Sequence, residues 1–468
     1  MRKNRKITRR DFLYKSAFAT SFITLASQFT SCQKSVGPKP NIVLIFTDDL
    51  GYGDLGCYGN TVTKTPNIDR LASGGVRFTD FYVASSVCGP SRASLLTGRY
   101  PQRNGIYENI RNNMVNYGYR YSEYEYSTSP EMTLGLDLRE ITIADVLKKA
   151  GYTTGIIGKW DSGRARRFLP LQRGFDFFYG FANTGIDYWT HERYGVPSMF
   201  RGNERIKEEG YATDLFRREA VQFIKNNKDR PFLLYVPFNA PHGPSNLEHT
   251  GPQAPDEYIR MYGEPPGDNK IRLMANITCM DAAVGEILSV LKELDLEEDT
   301  IVMFISDNGA GGGTNYPLRG GKGNLFDGGI REPFIAKWPG HIPEGTVSHE
   351  FCSTLEMFPT FLKIAGAKPP KDVILDGFNM LPVLTGERIS QRQELFWLLR
   401  ENKAARVGNW KWVESQSGGG LFNLSNDIGE QHDLSDEKPK VLKEIKAKWT
   451  AWKKEMDEAE PHGPFKNY

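Results

Sequence analysis

The chain reads as an α/β protein: a large mixed, mostly parallel sheet sandwiched by helices, followed by a smaller antiparallel sheet with one helix. Three observations predict this. Asn41–Phe46 (NIVLIF) and Thr300–Ile305 (TIVMFI) are continuous apolar runs, the mark of strands buried on both faces of a sheet. Helical patterns alternate with further runs of that kind, which calls for helices on both faces. Beyond Leu384 the texture changes to short strand-like pieces separated by turns.

The elements follow in order. Met1–Arg10 is positively charged and Phe12–Phe29 is apolar, the layout of a bacterial export signal over residues 1–31. Thr8-Arg9-Arg10-Asp11-Phe12-Leu13 looks like a twin-arginine signal, and Phe29-Thr30-Ser31-Cys32 looks like a loose lipobox. The expectation is an exported protein of the periplasm or outer membrane, with a lipid anchor at Cys32. The apolar run is short and interrupted by Thr, Ser and Gln, which argues against a membrane span.

Ser35–Lys39 is a tether, and the first strand ends in Thr47-Asp48-Asp49. Thr142–Ala150 and Ala212–Lys225 read as helices; Thr153–Ile157 and Phe232–Pro237 read as buried strands. Asp281–Leu294 reads as an amphipathic helix leading into the second acid-bearing strand, which ends in Ser306-Asp307-Asn308-Gly309. Asn112–Leu138 breaks the alternation. It is polar and rich in tyrosine, and reads as a long loop insertion, either functional or a lid on the surface. Near the C-terminus, Glu394–Arg400, Ala404–Val407, Trp410–Glu414 and Leu421–Leu424 read as strands, Gly418–Gly420 as a turn, and Lys440–Ala459 as a helix. The expected division is 1–31 signal, 40–385 catalytic domain and 386–468 small α+β domain.

Composition narrows the function. With 39% hydrophobic and 25% charged residues the chain is an ordinary globular one. Lys plus Arg number 59 against 57 Asp plus Glu, a net charge of +2. That excludes the basic footprint of a nucleic-acid binder and leaves room for a local anion pocket. The five cysteines lack paired or zinc-type spacing. Cys57, Cys279 and Cys352 read as packed small residues.

Cys88 opens the run CGPSRASLLTGR, ending at Arg99. Proline favours the first turn of a helix, so Cys88 is expected at a helix N-terminus, where free N–H groups favour anions. Arg92 lies one turn further on and can face the same side. Asp48, Asp49, Asp307 and Asn308 are hard-oxygen ligands at the ends of two matching strands, a set that selects Ca²⁺ or Mg²⁺. Ligands of such sheets sit beyond the carboxyl ends of the strands. Lys159 in Gly158-Lys159-Trp160, His242 in Asn239-Ala240-Pro241-His242 and Lys322 in a glycine-rich stretch complete the candidate set.

These strings together resemble the sulfatase family, whose signature is C-x-P-S-R-x-x-x-L-T-G-R. Cys88, Pro90, Ser91, Arg92, Leu96, Thr97, Gly98 and Arg99 match it, and the resemblance runs from Pro40 to about Leu434. It implies an alkaline-phosphatase-like fold and a sulfuric ester hydrolase. It also implies that a formylglycine-generating maturation enzyme converts Cys88 to formylglycine (3-oxoalanine), whose hydrate attacks sulfur and passes through a covalent sulfate intermediate. Asp48, Asp49, Asp307 and Asn308 would bind Ca²⁺, with Mg²⁺ as the alternative, and residue 88 would complete the shell. Lys159 and Lys322 would hold sulfate, Arg92 would offset its charge, and His242 would protonate the leaving group. The family pattern G-K-W-H-x-G is broken here: Gly158-Lys159-Trp160-Asp161-Ser162-Gly163 carries Asp161 where the histidine stands. Asp161 could act as a base in its place, or His191 could compensate. The tyrosine-rich insertion suits stacking on sugar rings, so the expected substrate is a sulfated carbohydrate. The rival readings are a phosphate or phosphonate ester hydrolase of the same superfamily, and a non-catalytic sulfoglycan-binding lipoprotein.

Overall fold

A computed structural model describes residues 39–263 and 267–459. The expected signal at 1–31 and Cys32 lie outside the described residues. The large sheet takes, in chain order, β1 (Asn41–Asp48), β2 (Val76–Phe78), β3 (Thr153–Lys159), β4 (Phe177–Phe181), β5 (Met199–Arg201), β6 (Glu204–Arg205), β7 (Phe232–Pro241), β8 (Thr300–Ser306), β9 (Phe334–Lys337) and β10 (Thr346–Ser348). Its spatial order is β10-β2-β9-β8-β1-β7-β3-β4-β5-β6. The five central strands, β8 to β4, run parallel. Antiparallel pairings begin at β9 on one side and β5 on the other. The sheet is therefore mixed and mostly parallel, as the uninterrupted apolar runs require.

Burial on both faces is visible residue by residue in β1. Ile42, Leu44 and Phe46 join one hydrophobic cluster; Val43 and Ile45 join the other. The first cluster receives Leu95 and Leu96 of α1 (Cys88–Thr97) and Ile143, Ala144, Val146 and Leu147 of α2 (Ile143–Lys149). The second receives Leu215, Phe216 and Ala220 of α3 (Ala212–Asn227) and Ile277, Met280 and Ala283 of α4 (Asn269–Glu293). Thr142 and Asp145 form a capping box that starts α2 where the sequence indicates.

Three expectations need correction. Helix α4 begins at Asn269, well before Asp281. Its first half hides from a periodicity reading because polar residues interrupt the apolar face. Those residues are buried and bonded: Asn276 donates to the Gln253 carbonyl (2.8 Å) and Thr278 to the Lys64 carbonyl (2.9 Å). The Asn112–Leu138 insertion is not plain loop, since it holds helical turns at Asn113–Tyr117, Glu123–Ser127 and Pro130–Thr133. Ser122 and Glu125 cap the second of these reciprocally. Gly418–Gly420 is not a turn: it opens a strand, where Gly418 and Gly420 at φ 114° and 154° occupy backbone that side chains rarely adopt.

The second sheet is a meander of β11 (Glu394–Leu399), β12 (Asn402–Val407), β13 (Trp410–Ser415) and β14 (Gly418–Asn423), antiparallel throughout. It is backed by α5 (Pro439–Glu458) through Trp449 and Trp452. Its inner face shares the first hydrophobic cluster with the large sheet. Trp397 Nε1 donates to the Val83 carbonyl (2.8 Å), and Arg406 grips Asp80 with both terminal nitrogens (2.5 and 2.7 Å). The chain from Pro40 onward forms one compact unit.

Candidate active site

The parallel register puts Thr47 of β1 beside Ser306 of β8. The acids that follow these residues therefore leave the sheet side by side, although 258 positions separate Asp49 from Asp307 in the chain. The Asp49 N–H donates to Asp307 Oδ1 (3.1 Å), and Asn308 Nδ2 donates to Asp49 Oδ1 (2.7 Å). Asp49 has φ 65°, which turns the chain sharply at the strand end. Between β1 and β7 the register slips after Phe46.

Cys88 is the first residue of α1. The helix is fully buried and ends at Gly98 (φ 66°), where a β-carbon would lie 2.6 Å from that of Phe358. The signature's Gly98 is thus a packing requirement, and Arg99 pairs with Glu140 (2.6 Å) at a distance from the acids. Cys88 Sγ lies 3.4 Å from Asp48 Oδ1. Arg92 donates through Nε and Nη2 to Asp307 Oδ2 (3.0 and 2.7 Å), and Nη2 lies 3.5 Å from Asp48. Lys159 Nζ donates to Asp48 Oδ2 (2.8 Å), and Lys322 Nζ donates to Asp49 Oδ2 (2.7 Å). His242 points Nε2 at Asp49 Oδ2 (3.8 Å), while its Nδ1 meets the Gly243 carbonyl at 2.7 Å. Every site residue expected from sequence lies in this cluster. His191 is taken up elsewhere, with Nε2 2.9 Å from the Gly210 carbonyl.

Asp161 is buried, with its carboxylate 3.5 Å from Lys159 Nζ. Its φ of 51° is a conformation that aspartate tolerates better than most residues. Burial raises its carboxyl above the ordinary value, against the pull of Lys159 and Arg92. Burial likewise lifts Asp307 to about 6 despite Arg92. Asp49 is held well below the usual range: burial would raise it, but Lys322 and His242 outweigh that. Burial, reinforced by Lys322, pushes His242 down to about 3, so the free site holds a neutral imidazole. Burial also pushes the Cys88 thiol well above its ordinary value. A thiol so placed is a poor nucleophile, because the thiolate is the reactive form.

The residues fit a hard divalent cation. Asp48, Asp49, Cys88 and Asp307 each offer a ligand atom, all within 4.8 Å of one another, and the buried Asn308 Oδ1 has no hydrogen-bond partner among the described residues. Four carboxylates (Asp48, Asp49, Asp161, Asp307) face three cations (Arg92, Lys159, Lys322), a formal charge of −1. A divalent cation would bring this to +1, the charge that a singly negative ester neutralises.

Glu332 was not singled out by sequence reasoning. It is fully buried, and neither carboxylate oxygen has a hydrogen-bond partner among the described residues. Burial raises its carboxyl well above the ordinary value, and Asp307, Asp49 and Asp54 raise it further. The only signal was its place in Gly329-Ile330-Arg331-Glu332-Pro333. Asp54 holds the loop opposite, accepting from the Gly51 and Thr314 N–H groups (both 2.9 Å). Asn109 steadies the start of α1 by accepting from the Gly89 N–H (2.7 Å).

Comparison with known proteins gives the family. Residues 40–367 match the family model described as Sulfatase, and residues 321–455 match the one described as N-sulphoglucosamine sulphohydrolase, C-terminal. N-acetylgalactosamine-6-sulfatase of Canis lupus familiaris is 36% identical over 403 residues, 80% of this chain and 73% of the relative. Arylsulfatase A of Homo sapiens is 35% identical over 498 residues, 92% of this chain and 90% of the relative. Among solved structures, that of Ps i-CgsB has a TM-score of 0.79 and 34% identity, covering 88% of this chain and 92% of the other. Phosphonate monoester hydrolase of Agrobacterium radiobacter, at 19% identity and a TM-score of 0.62, shares the fold. With a family match over most of its length, and the signature cysteine seated among the acids of two parallel strands, the chain belongs to the sulfatase family of enzymes.

Proposed function

We propose that this sulfatase acts on a sulfated carbohydrate, with residue 88 working as formylglycine and one Ca²⁺ or Mg²⁺ held by Asp48, Asp49, Asp307, Asn308 and the residue 88 side chain. The observation that carries the reading is the convergence of three cations, two of them fully buried, and four hard-oxygen side chains on the buried Cys88. When present, the two groups supply a hydrated aldehyde as nucleophile and a charge that lowers its pKa and clamps the sulfuryl oxygens.

The remaining chemistry belongs to the chain. Arg92 and Lys159, both fully buried, and the half-buried Lys322 would offset the charge that grows on the sulfuryl oxygens. Arg92 also orients Asp307 with a two-point grip. His242 donates Nδ1–H to the Gly243 carbonyl, which leaves Nε2 facing the site. An arriving sulfate ester adds a negative charge beside the ring and raises its proton affinity. His242 can then deliver a proton from Nε2 to the departing alcohol. Asp161, set against Lys159, serves as the base in the second half of the reaction.

A saccharide is supported by two relatives. One is named for N-acetylgalactosamine 6-sulfate chemistry, and Ps i-CgsB, 33% identical, has been solved with k-i-k-neocarrahexaose. The tyrosine-rich insertion is linked indirectly to the segment beside His242. Glu131 takes Arg193 (2.5 Å), Arg193 donates to Thr184 (3.1 Å), and the neighbouring Gly185 packs against the His242 ring. Tyr117 and Tyr124 are exposed. Incubation with sulfated galactose, galactosamine and carrageenan-type oligosaccharides, followed by ion chromatography, tests the reading. Free sulfate and a desulfated sugar are expected. Phosphate release from phosphorylated analogues alone, or binding without turnover, would overturn it.

A further inference from the structure

Lys322 rides on a loop with no regular structure, yet its ammonium must meet Asp49 and a sulfate with ångström accuracy. The loop is bonded to the site segments at two points, Lys322 N–H to the Ala310 carbonyl and Gly323 N–H to the Ser86 carbonyl (2.8 Å), and its own ends meet through the Gly328 N–H and the Arg319 carbonyl (2.7 Å). Ser86 lies two residues before Cys88 and Ala310 two after Asn308. The loop therefore touches both chains that build the site.

What holds its two ends comes from the second sheet and the segment that follows it. Glu430, in the segment after β14, is fully buried and has φ 51°, unfavourable for glutamate. Its backbone carbonyl accepts from Arg319 Nη1 (2.8 Å), at the start of the loop. Its carboxylate accepts from the Asp327 N–H (2.6 Å), at the end of the loop. Lys411 of β13 bridges the two acids, with Nζ 2.7 Å from Asp327 Oδ1 and 3.3 Å from Glu430 Oε1, and all three side chains are shielded from solvent. Arg319 also stacks on Phe326 (3.9 Å), which packs on Phe422 of β14. A carboxylate held in left-handed backbone is retained only where its surroundings fix it, and here those surroundings are the two ends of the Lys322 loop.

We infer that Glu430 is a positioning residue for Lys322, clamping the 319–327 loop from the C-terminal sheet so that the lysine meets the sulfuryl group. The inference rests on the reading of Lys322 as a sulfate-holding residue. It assigns the C-terminal sheet a part in catalysis without a contact to substrate.

A double-mutant cycle with an exchange measurement tests it. Glu430→Ala, Glu430→Gln, Lys322→Ala and the Glu430→Ala/Lys322→Ala pair are made in the full chain. They are assayed on 4-nitrophenyl sulfate and N-acetylgalactosamine 6-sulfate, and followed by hydrogen–deuterium exchange. Glu430→Ala is expected to lower kcat/KM about tenfold alone and to have little further effect once Lys322 is gone, the signature of coupled residues. Amide exchange should speed up over 319–329 and stay unchanged in β1 and β8. Glu430→Gln, which keeps an acceptor for the Asp327 N–H, should recover most of the loss. If the alanine form does not fold, Glu430→Asp, whose side chain is one methylene too short to hold the Asp327 N–H, replaces it in the cycle with the same loss and the same exchange expected. An equal fold-loss in both Lys322 backgrounds, or unaltered exchange over 319–329, would overturn the inference; the exchange part needs no turnover. Full activity in Lys322→Ala would instead sink the reading of Lys322, and the inference with it, without reference to any Glu430 variant.

Discussion

Asp161 is where this chain departs from the pattern it otherwise follows, and its surroundings suit a base. It lies 3.5 Å from Lys159, which is itself bound to Asp48, and burial raises its carboxyl. A carboxylate poised in this way can take a proton that its solvated counterpart would not. The expected result for Asp161→Asn is a fall in steady-state turnover of about a hundredfold, within the range for losing a general base. The first half of the reaction should survive, so rapid-mix kinetics should show a burst of released alcohol followed by slow sulfate release. Asp161→His tests the converse. A rise in turnover above wild type would mark Asp161 as a loss of function, and unchanged rates in both variants would remove residue 161 from the reaction. At this scale the sequence was informative wherever chemistry sits in a contiguous string, as with Cys88, Arg92, Asp48 and Lys159. It was silent on Glu332 and Glu430, whose meaning comes from partners far along the chain.

Strands β1 and β8 were legible because burial on both faces leaves one unbroken apolar run, with the functional acids just past its end. The first half of α4 was not, because Asn276 and Thr278 interrupt the apolar face, and only tertiary partners reveal that they are buried. The paired strand ends gather three carboxylates and an Asn308 oxygen without a hydrogen-bond partner among the described residues, and the proposed cation would bind there. Such binding stabilises the native state by mass action, about 2.7 kcal/mol at a hundredfold excess over Kd. Chelation should therefore lower Tm by a few degrees, roughly 2–4 °C per kcal/mol or less for a chain of this size, and Ca²⁺ should restore it. Asn308→Ala removes a ligand without changing charge, and scanning calorimetry should find its response to Ca²⁺ much reduced. A Tm indifferent to chelator and Ca²⁺ in the unaltered chain, or responsive to zinc alone, would contradict the assignment.

At the scale of the whole molecule, two sheets share one core and meet through buried ions. Arg406 holds Asp80, and Lys411 holds Asp327 and Glu430. Pairs removed from water in this way cost about 3–5 kcal/mol to break from one side, so the small sheet is tied firmly to the large one. The sequence marked the small sheet through its turns, but not its grip on the Lys322 loop, because register and contact between sheets are not local properties. Residue 88 is the centre of the chemistry. Burial raises its thiol well above the ordinary value and so disfavours the thiolate, and an active chain should carry the proposed formylglycine. The most direct measurement is the intact mass of the peptide bearing residue 88, taken from protein produced with and without a formylglycine-generating enzyme and compared with sulfate release by the same preparations. The peptide is expected to be roughly 18 Da lighter than the thiol form, as oxygen replaces the thiol in an aldehyde able to act through its hydrate, with activity in proportion to the converted fraction. Full turnover by protein whose Cys88 remains an unmodified thiol would contradict it.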